Sequence, residues 1–312
     1  MTKAGDSPAV FHSSLWILAL IWILSLSAFW QPVVALVKLS LQDDRYSHLV
    51  LIPFITGFLI YLDRQRIFIE RRRAPLFGMS LFALAMIVYW VAKPWSTWSN
   101  RNDQLWLPAL GIVLVWASSF LFMNGPKAAA AAMFPLCFLL VMVPVPAVFL
   151  DRAVYNLQKG SAELTDILFR LLGMPAFRSG FRFSLPGVDI EVAKECSGIR
   201  SSLALLITGL LASHLFLRST ARKLFFILLT IPVAIFKNAV RIVTLSFLGV
   251  YVDRGWLDSS LHRRGGALFA LVGLAILLPF LLWLRRSEAA SRDSQPLIQI
   301  RDRADPPMSA AN

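Results

Sequence analysis

The chain has 312 residues, 57% of them hydrophobic and only 16% charged, which is too apolar for a soluble globular domain and fits a polytopic membrane protein. Its formal net charge of +13 would suit nucleic acid only if the cations formed one patch. They fall instead in short clusters between apolar runs, the pattern by which membrane proteins set their orientation, so no nucleic-acid partner is expected.

A membrane-spanning helix needs roughly 20 apolar residues. Runs of about that length occur at Leu15–Val37, His48–Leu62, Leu76–Ala92, Leu105–Met123, Ala128–Leu150, Ser197–Leu217, Leu224–Val250 and Ala267–Leu284. The first is too long for a secretory signal and lacks a small-residue cleavage site, so it is read as a retained helix. The expected fold is thus all-α and polytopic, with about eight transmembrane helices. Residues 1–286 form its membrane domain, and residues 287–312 are expected to be a polar, disordered cytoplasmic tail.

Basic clusters orient these spans. Arg64, Arg66, Arg71, Arg72 and Arg73 mark the loop after the second run as cytoplasmic, and alternation then puts Lys127, Arg218, Arg222, Lys223, Arg285 and Arg286 on the same side. Both termini are cytoplasmic on this reading, in an inner, cytoplasmic membrane. The outer connections are Lys38–Ser47, Lys93–Gln104, Asp151–Glu195 and Tyr251–Gly266, the second carrying Trp95, Trp98 and Trp106 as an interfacial belt.

The third outer connection is the longest. Val154, Leu157, Leu164, Ile167, Leu168 and Leu171 recur at helical spacing beside charged residues, which predicts a periplasmic helix lying along the membrane surface and ending at Gly173. Phe181, Phe183 and Leu185, then Val188, Ile190 and Val192, alternate with polar residues around Pro186-Gly187, the signature of a short hairpin. That hairpin delivers the chain to Cys196.

Cys196 lies at the start of an apolar run, where a helix dipole and free amides favour a thiolate, and Arg200 one turn on adds a cation. Glu195 opposes the thiolate unless it turns toward Arg241 or Lys237. The chain has two cysteines; Cys137 sits mid-run and is read as a small buried hydrophobe, leaving Cys196 as a free thiol. Arg241 lies in the outer half of the seventh run and Lys237 deeper. A central charge costs about 2.5–3.5 kcal/mol on insertion scales, so each needs a partner or a purpose. Asn238, Arg241 and Thr244 share one helix face. His48 and His262 fall on the outer side with Cys196; a histidine at a helix end is commonly an interfacial residue, but either has the chemistry of a base. There is no H-E-x-x-H, no G-x-S-x-G and no P-loop, and the separated cysteines make no metal site, so neither metal nor cofactor is expected.

The motifs Glu195-Cys-Ser-Gly-Ile-Arg-Ser-Ser202, Asn238-Ala-Val-Arg-Ile242 and His262-Arg-Arg-Gly-Gly266 resemble those of the exosortase/archaeosortase family. Tyr46–Pro53 is similar to that family's early motif, with Leu49 where a glycine often follows the histidine. The resemblance runs from about Tyr46 to the last helix. It implies a membrane cysteine transpeptidase or protease acting on exported proteins. Their C-terminal sorting signal comprises a short motif, a transmembrane helix and a basic cluster. Cys196 would be the nucleophile, Arg241 and His262 its catalytic partners, and Ser197, Arg200, Asn238 and His48 would support them. Arg263 and Arg264, outside against the positive-inside trend, could receive an acidic group of the substrate motif or simply contact headgroups. Substrate would enter laterally from the bilayer, and any soluble accessory domain would be a separate chain. Two other classes stay open at this stage. In a transporter or polysaccharide-export component, Arg241 and Lys237 would line an anion path; in a binding scaffold, Cys196 would be structural.

Overall fold

The computed structural model describes residues 8–69, 72–92, 100–192, 198–258 and 265–293. The chain divides into two compact units, Met1–Arg152 and Ala153–Asn312.

The first unit holds α1 (Pro8–Ala28), α2 (Trp30–Gln42), α3 (Ile52–Leu62), the short α4 (Arg64–Ile67), α5 (Pro75–Val91), α6 (Arg101–Ala131) and α7 (Met133–Phe138). Helix α6 is the post on which α1, α2, α4, α5 and α7 pack. Gly78 of α5 lies so close to it that a Cβ there would sit 2.5 Å from Phe122 Cβ. On the α1 side the Trp22 and Trp116 rings stack at 4.9 Å, and each indole N–H finds a serine hydroxyl: Trp22 Nε1 donates to Ser119 and Trp116 Nε1 to Ser25. Buried indoles need such partners.

Two expected spans are bent rather than straight. The first apolar run is divided into α1 and α2, which meet at 91°. The fifth is broken: α7 gives way to a 3₁₀ turn at Leu139–Met142, after which the chain bends by 90° into the helix from Ala147. Ahead of it, between the fourth and fifth runs, α6 continues through a kink at Gly125 (φ 81°) followed by Pro126. At Gly125 no other residue would serve, since a Cβ would overlap the carbonyl oxygen of Arg72. Among the described residues four helices are long and apolar enough to cross a membrane, up to six if each bent pair counts as one, and Ile52–Leu62 and Pro75–Val91 are shorter apolar helices. The architecture is that of an all-α polytopic membrane protein.

Helix α8 (Ala147–Leu171) links the units, its first amide capped by Asp103 at 2.8 Å. It was expected, but its packed face was not. Val154, Gln158, Ser161, Ala162, Thr165 and Phe169 are buried, whereas Ile167 and Leu171 of the predicted stripe are 51% and 77% exposed. Val154 of the stripe is buried and Leu168 packs against the core, but most of the buried positions are small or polar, a pattern common in helices surrounded by lipid.

In the second unit the predicted hairpin is present. Strands β2 (Arg182–Leu185) and β3 (Val188–Glu191) pair antiparallel with Leu185 opposite Val188, and a strand not foreseen, β1 (Phe177–Ser179), extends the sheet in the order β1-β2-β3. Its inner residues Phe183 and Leu185 join Ala162 and Phe169 of α8 and Ile242 and Val243 of α10 in one core, and Phe169 meets Phe183 edge to face. Gln158 Nε2 donates to the carbonyl of Val192 where β3 ends.

The rest of the unit is a three-helix set: α9 (Ile199–Phe216), α10 (Thr220–Tyr251) and α11 (Gly266–Asp293), cored by Leu205, Phe226, Val233, Leu277 and Leu281. The 32-residue α10 outruns the 18-residue α9, and the excess length is what α8 and the hairpin cover. Helix α11 continues past Arg286 to Asp293, into the stretch expected to be tail. There Glu288 accepts from the amides of Arg218 and Ser219 and pairs with Arg222, tying the α9–α10 loop to the end of α11. Two of the basic clusters assigned to one membrane side therefore lie together. In the first unit, likewise, the Arg72 and Ala74 amides meet the carbonyls of Asn124 and Phe122, close in sequence to Lys127.

Candidate functional site

Helix α9 begins at Gly198, whose φ of 72° is left-handed backbone open mainly to glycine. A side chain there is excluded twice over, because a Cβ would sit 2.7 Å from Asn238 Oδ1 and 2.9 Å from its Cγ. The backbone of α9 thus lies directly on Asn238 of α10. The Asn238 amide in turn donates to Ser161 Oγ of α8 at 3.0 Å, so one buried asparagine joins three elements.

Its neighbour completes the contact. Lys237 is only 1% exposed, and its ammonium donates to Ser201 Oγ in the first turn of α9. The Ser201 hydroxyl donates in turn to the Gly198 carbonyl at 3.1 Å, and the Ser202 amide donates to the same carbonyl at 2.8 Å. Arg241, half-buried one turn along α10, is near enough for its charge to act on Lys237. The partner of Lys237, which the sequence did not reveal, is Ser201, and that of Asn238 is Ser161. Both serines were in view as residue types, yet their pairing depends on contacts between residues distant in sequence.

Arg200 is exposed at the start of α9, and its guanidinium reaches the first residue of α11, where a Cβ at Gly266 would sit 3.4 Å from Arg200 Nη2. The beginnings of α9 and α11 and the middle of α10 therefore converge. Of the expected site residues, Asn238 lies against the start of α9, Arg200 follows on that turn beside Gly266, and Arg241 stands one turn along α10 from Lys237. Glu195, Cys196, Ser197, His262, Arg263 and Arg264 lie outside the described residues, as do Trp95 and Trp98 of the expected belt.

His48 belongs to the first unit, in the turn before α3. Burial pushes its imidazole below the ordinary value, and hydrogen bonds to the main chain at Val141 and Arg45 work the other way. A ring held in this manner has the profile of a structural histidine. Beside it Tyr46 is buried, and its hydroxyl accepts from Asn102 at the start of α6, so Tyr46 of the early motif fastens that helix. Cys137, expected in a core, is exposed on α7 instead. Pro135 and Phe138 take the buried positions of that short helix.

No curated protein and no solved structure matches the chain. A family model does, that of the transmembrane exosortases, over residues 39–279.

Proposed function

The chain belongs to the transmembrane exosortase family, and from that premise we propose that it cleaves a C-terminal sorting signal from exported membrane proteins and passes the acyl group to water or an amine acceptor. The family is one of membrane cysteine proteases and transpeptidases. In this chain Cys196 attacks the scissile carbonyl as thiolate, forming a thioester. Arg241 holds the thiolate or the oxyanion, and His262 takes the thiol proton and returns it to the leaving amine. Ser197, Arg200 and Asn238 support the nucleophile, and Arg263 and Arg264 receive an acidic group of the sorting motif.

One observation carries this reading: Lys237 and Asn238, the turn of α10 that leads into Arg241, grip the first turn of α9. Cys196 is two residues before Gly198 in sequence, a chain reach of about 7 Å. This supports the reading in which a nucleophile on that segment and the Arg241 guanidinium serve a common substrate carbonyl. The same reading includes about eight spans, with both termini in the cytoplasm of an inner membrane, α8 along the outer surface, and the reacting groups facing outward. A substrate whose signal is itself a membrane helix arrives laterally, and any accessory domain acts as a separate chain.

The test is processing in the native host with Cys196→Ala at matched expression. Accumulation of full-length substrate while the variant inserts normally supports the assignment. Unchanged processing would remove Cys196 as nucleophile and favour an anion-path protein, in which joint loss of Arg241 and Lys237 is the damaging change.

A further inference from the structure

The 91° bend after Ala28 sets α2 across the direction of α1, and α2 has three distinct faces. Pro32, Leu36, Leu39 and Ser40 are buried. Trp30, Val37 and Leu41 form an exposed apolar stripe, 65%, 38% and 80% open. Gln31, Lys38 and Gln42 form an exposed polar stripe beside it. A helix whose exposed surface is half apolar and half polar settles in a membrane interface, one edge among acyl chains and the other among headgroups. The polar edge of α2 borders a groove of about 420 Å³ shared with the first turns of α6. Lys38 and Arg101 are the charged residues of its lining, and Trp30, Val34, Ala35 and Leu105 give it an apolar wall. Gln42, one turn beyond Lys38, accepts from Arg101 Nη1 at 2.8 Å, which fixes the guanidinium beside α2. Arg101 also borders a second cleft that holds Asp43 and Asp151. There Asp43 is paired with Arg45 at 2.6 Å, and Asp103 on the next face of α6 accepts from the Ala147 amide. The groove thus joins two cations to an apolar wall. A free phosphate would use only the cations, whereas an anionic phospholipid uses both.

We propose that the groove between α2 and the start of α6 binds one anionic phospholipid. Lys38 and Arg101 hold its phosphate, and its chains run along the apolar wall beside Trp30. The bound lipid ties the end of α2 to the start of α6. Such a site needs nothing from the thiol chemistry assigned to Cys196.

The experiment titrates the delipidated full chain in detergent with phosphatidylglycerol and counts bound lipid by native mass spectrometry. Phosphatidylcholine and inorganic phosphate are the comparison probes. The tightest phosphatidylglycerol should bind about fivefold more weakly to Lys38→Gln and about thirtyfold more weakly to a Lys38→Gln, Arg101→Gln double variant, the effect of removing one and two interfacial cations. Lys38→Arg keeps the charge and should keep the parent affinity. If the double variant fails to fold, the Lys38→Gln and Lys38→Arg pair decides: a loss confined to glutamine supports the proposal, and two equal affinities overturn it. Phosphatidylcholine that binds as tightly as phosphatidylglycerol also overturns it, because the cations would then play no part. So does inorganic phosphate that displaces the lipid mole for mole, which would make the groove a site for the free anion.

Discussion

Helices α6 and α10 are nearly the same length, 31 and 32 residues, and each is the post of its own unit, but they treat polarity in opposite ways. In the middle of α6 the polar groups are neutral: Ser118 donates to the Val115 carbonyl and Ser119 to that of Trp116, and the bonds to α1 join only indoles and hydroxyls. In the middle of α10 the polar groups are an ammonium and an amide that reach outward, to α9 and α8. A hydroxyl satisfied within its own helix costs a membrane protein little, whereas a charge held across an interface needs a complementary partner at a fixed place. The first pattern builds a scaffold. The second builds a site.

Substitutions should separate the two. The largest effect is expected at Arg241→Gln, which removes the proposed oxyanion partner; loss of one such donor typically costs 10²–10³ in rate, or about 2.7–4 kcal/mol. Substrate processing at matched insertion measures it, and a rate within threefold of the parent would refute the role. Next is Gly198→Ala, which imposes a left-handed alanine and a clash with Asn238. A stability loss of about 1–3 kcal/mol is expected from backbone strain alone, accompanied by a loss of processing per inserted molecule. Gly78→Ala is its scaffold counterpart, overpacking α5 against Phe122 at about 1–3 kcal/mol. There thermal unfolding in detergent should come earlier while processing per folded molecule is unchanged. If Gly78→Ala also slowed catalysis at a temperature where the protein is folded, the division between scaffold and site would be wrong.

The smallest effect is that of pH on the first unit. Burial holds the His48 imidazole below its ordinary value of 6.5, so the folded state binds fewer protons than the unfolded one. Stability from this source is fully present above 6.5 and is lost as pH falls through the lower, folded value. Unfolding temperature should therefore drop modestly between pH 7.5 and 5, and His48→Gln should flatten the dependence. A parent protein whose unfolding temperature matches that of the glutamine variant across this range would contradict the assignment.

Much of the fold was legible because it follows from chain periodicity. The alternation from Phe181 to Val192 gave the hairpin with its turn at Pro186-Gly187, and the helical spacing after Asp151 gave α8. The stripe from Val154 to Leu171 reads as the face laid along the membrane surface, and which residues of α8 pack against protein is not legible from it. In a lipid environment large apolar residues need not face protein, and the buried side of α8 mixes Val154 and Phe169 with Gln158, Ser161 and Thr165. Hydropathy also counts residues without registering bends, so the break at Phe29 and the one between Met142 and Ala147 were invisible in runs that read as continuous. At the site, Arg241 and Lys237 announced themselves as charges in an apolar run. The Lys237–Ser201 and Asn238–Ser161 bonds did not, because they join residues 36 and 77 positions apart.

The two tethers on α8 have a mechanical consequence. Gln158 holds the chain at Val192, and Ser161, through Asn238, holds it at Gly198, so both ends of the stretch 193–197 are anchored to neighbouring turns of one helix. Closing a loop costs entropy that depends on how freely its ends can part, and here folding itself has met that cost before any substrate arrives. Helix α8 thus serves as a gauge block for the segment that carries the thiol, and a tilt of α8 would carry both ends of it together.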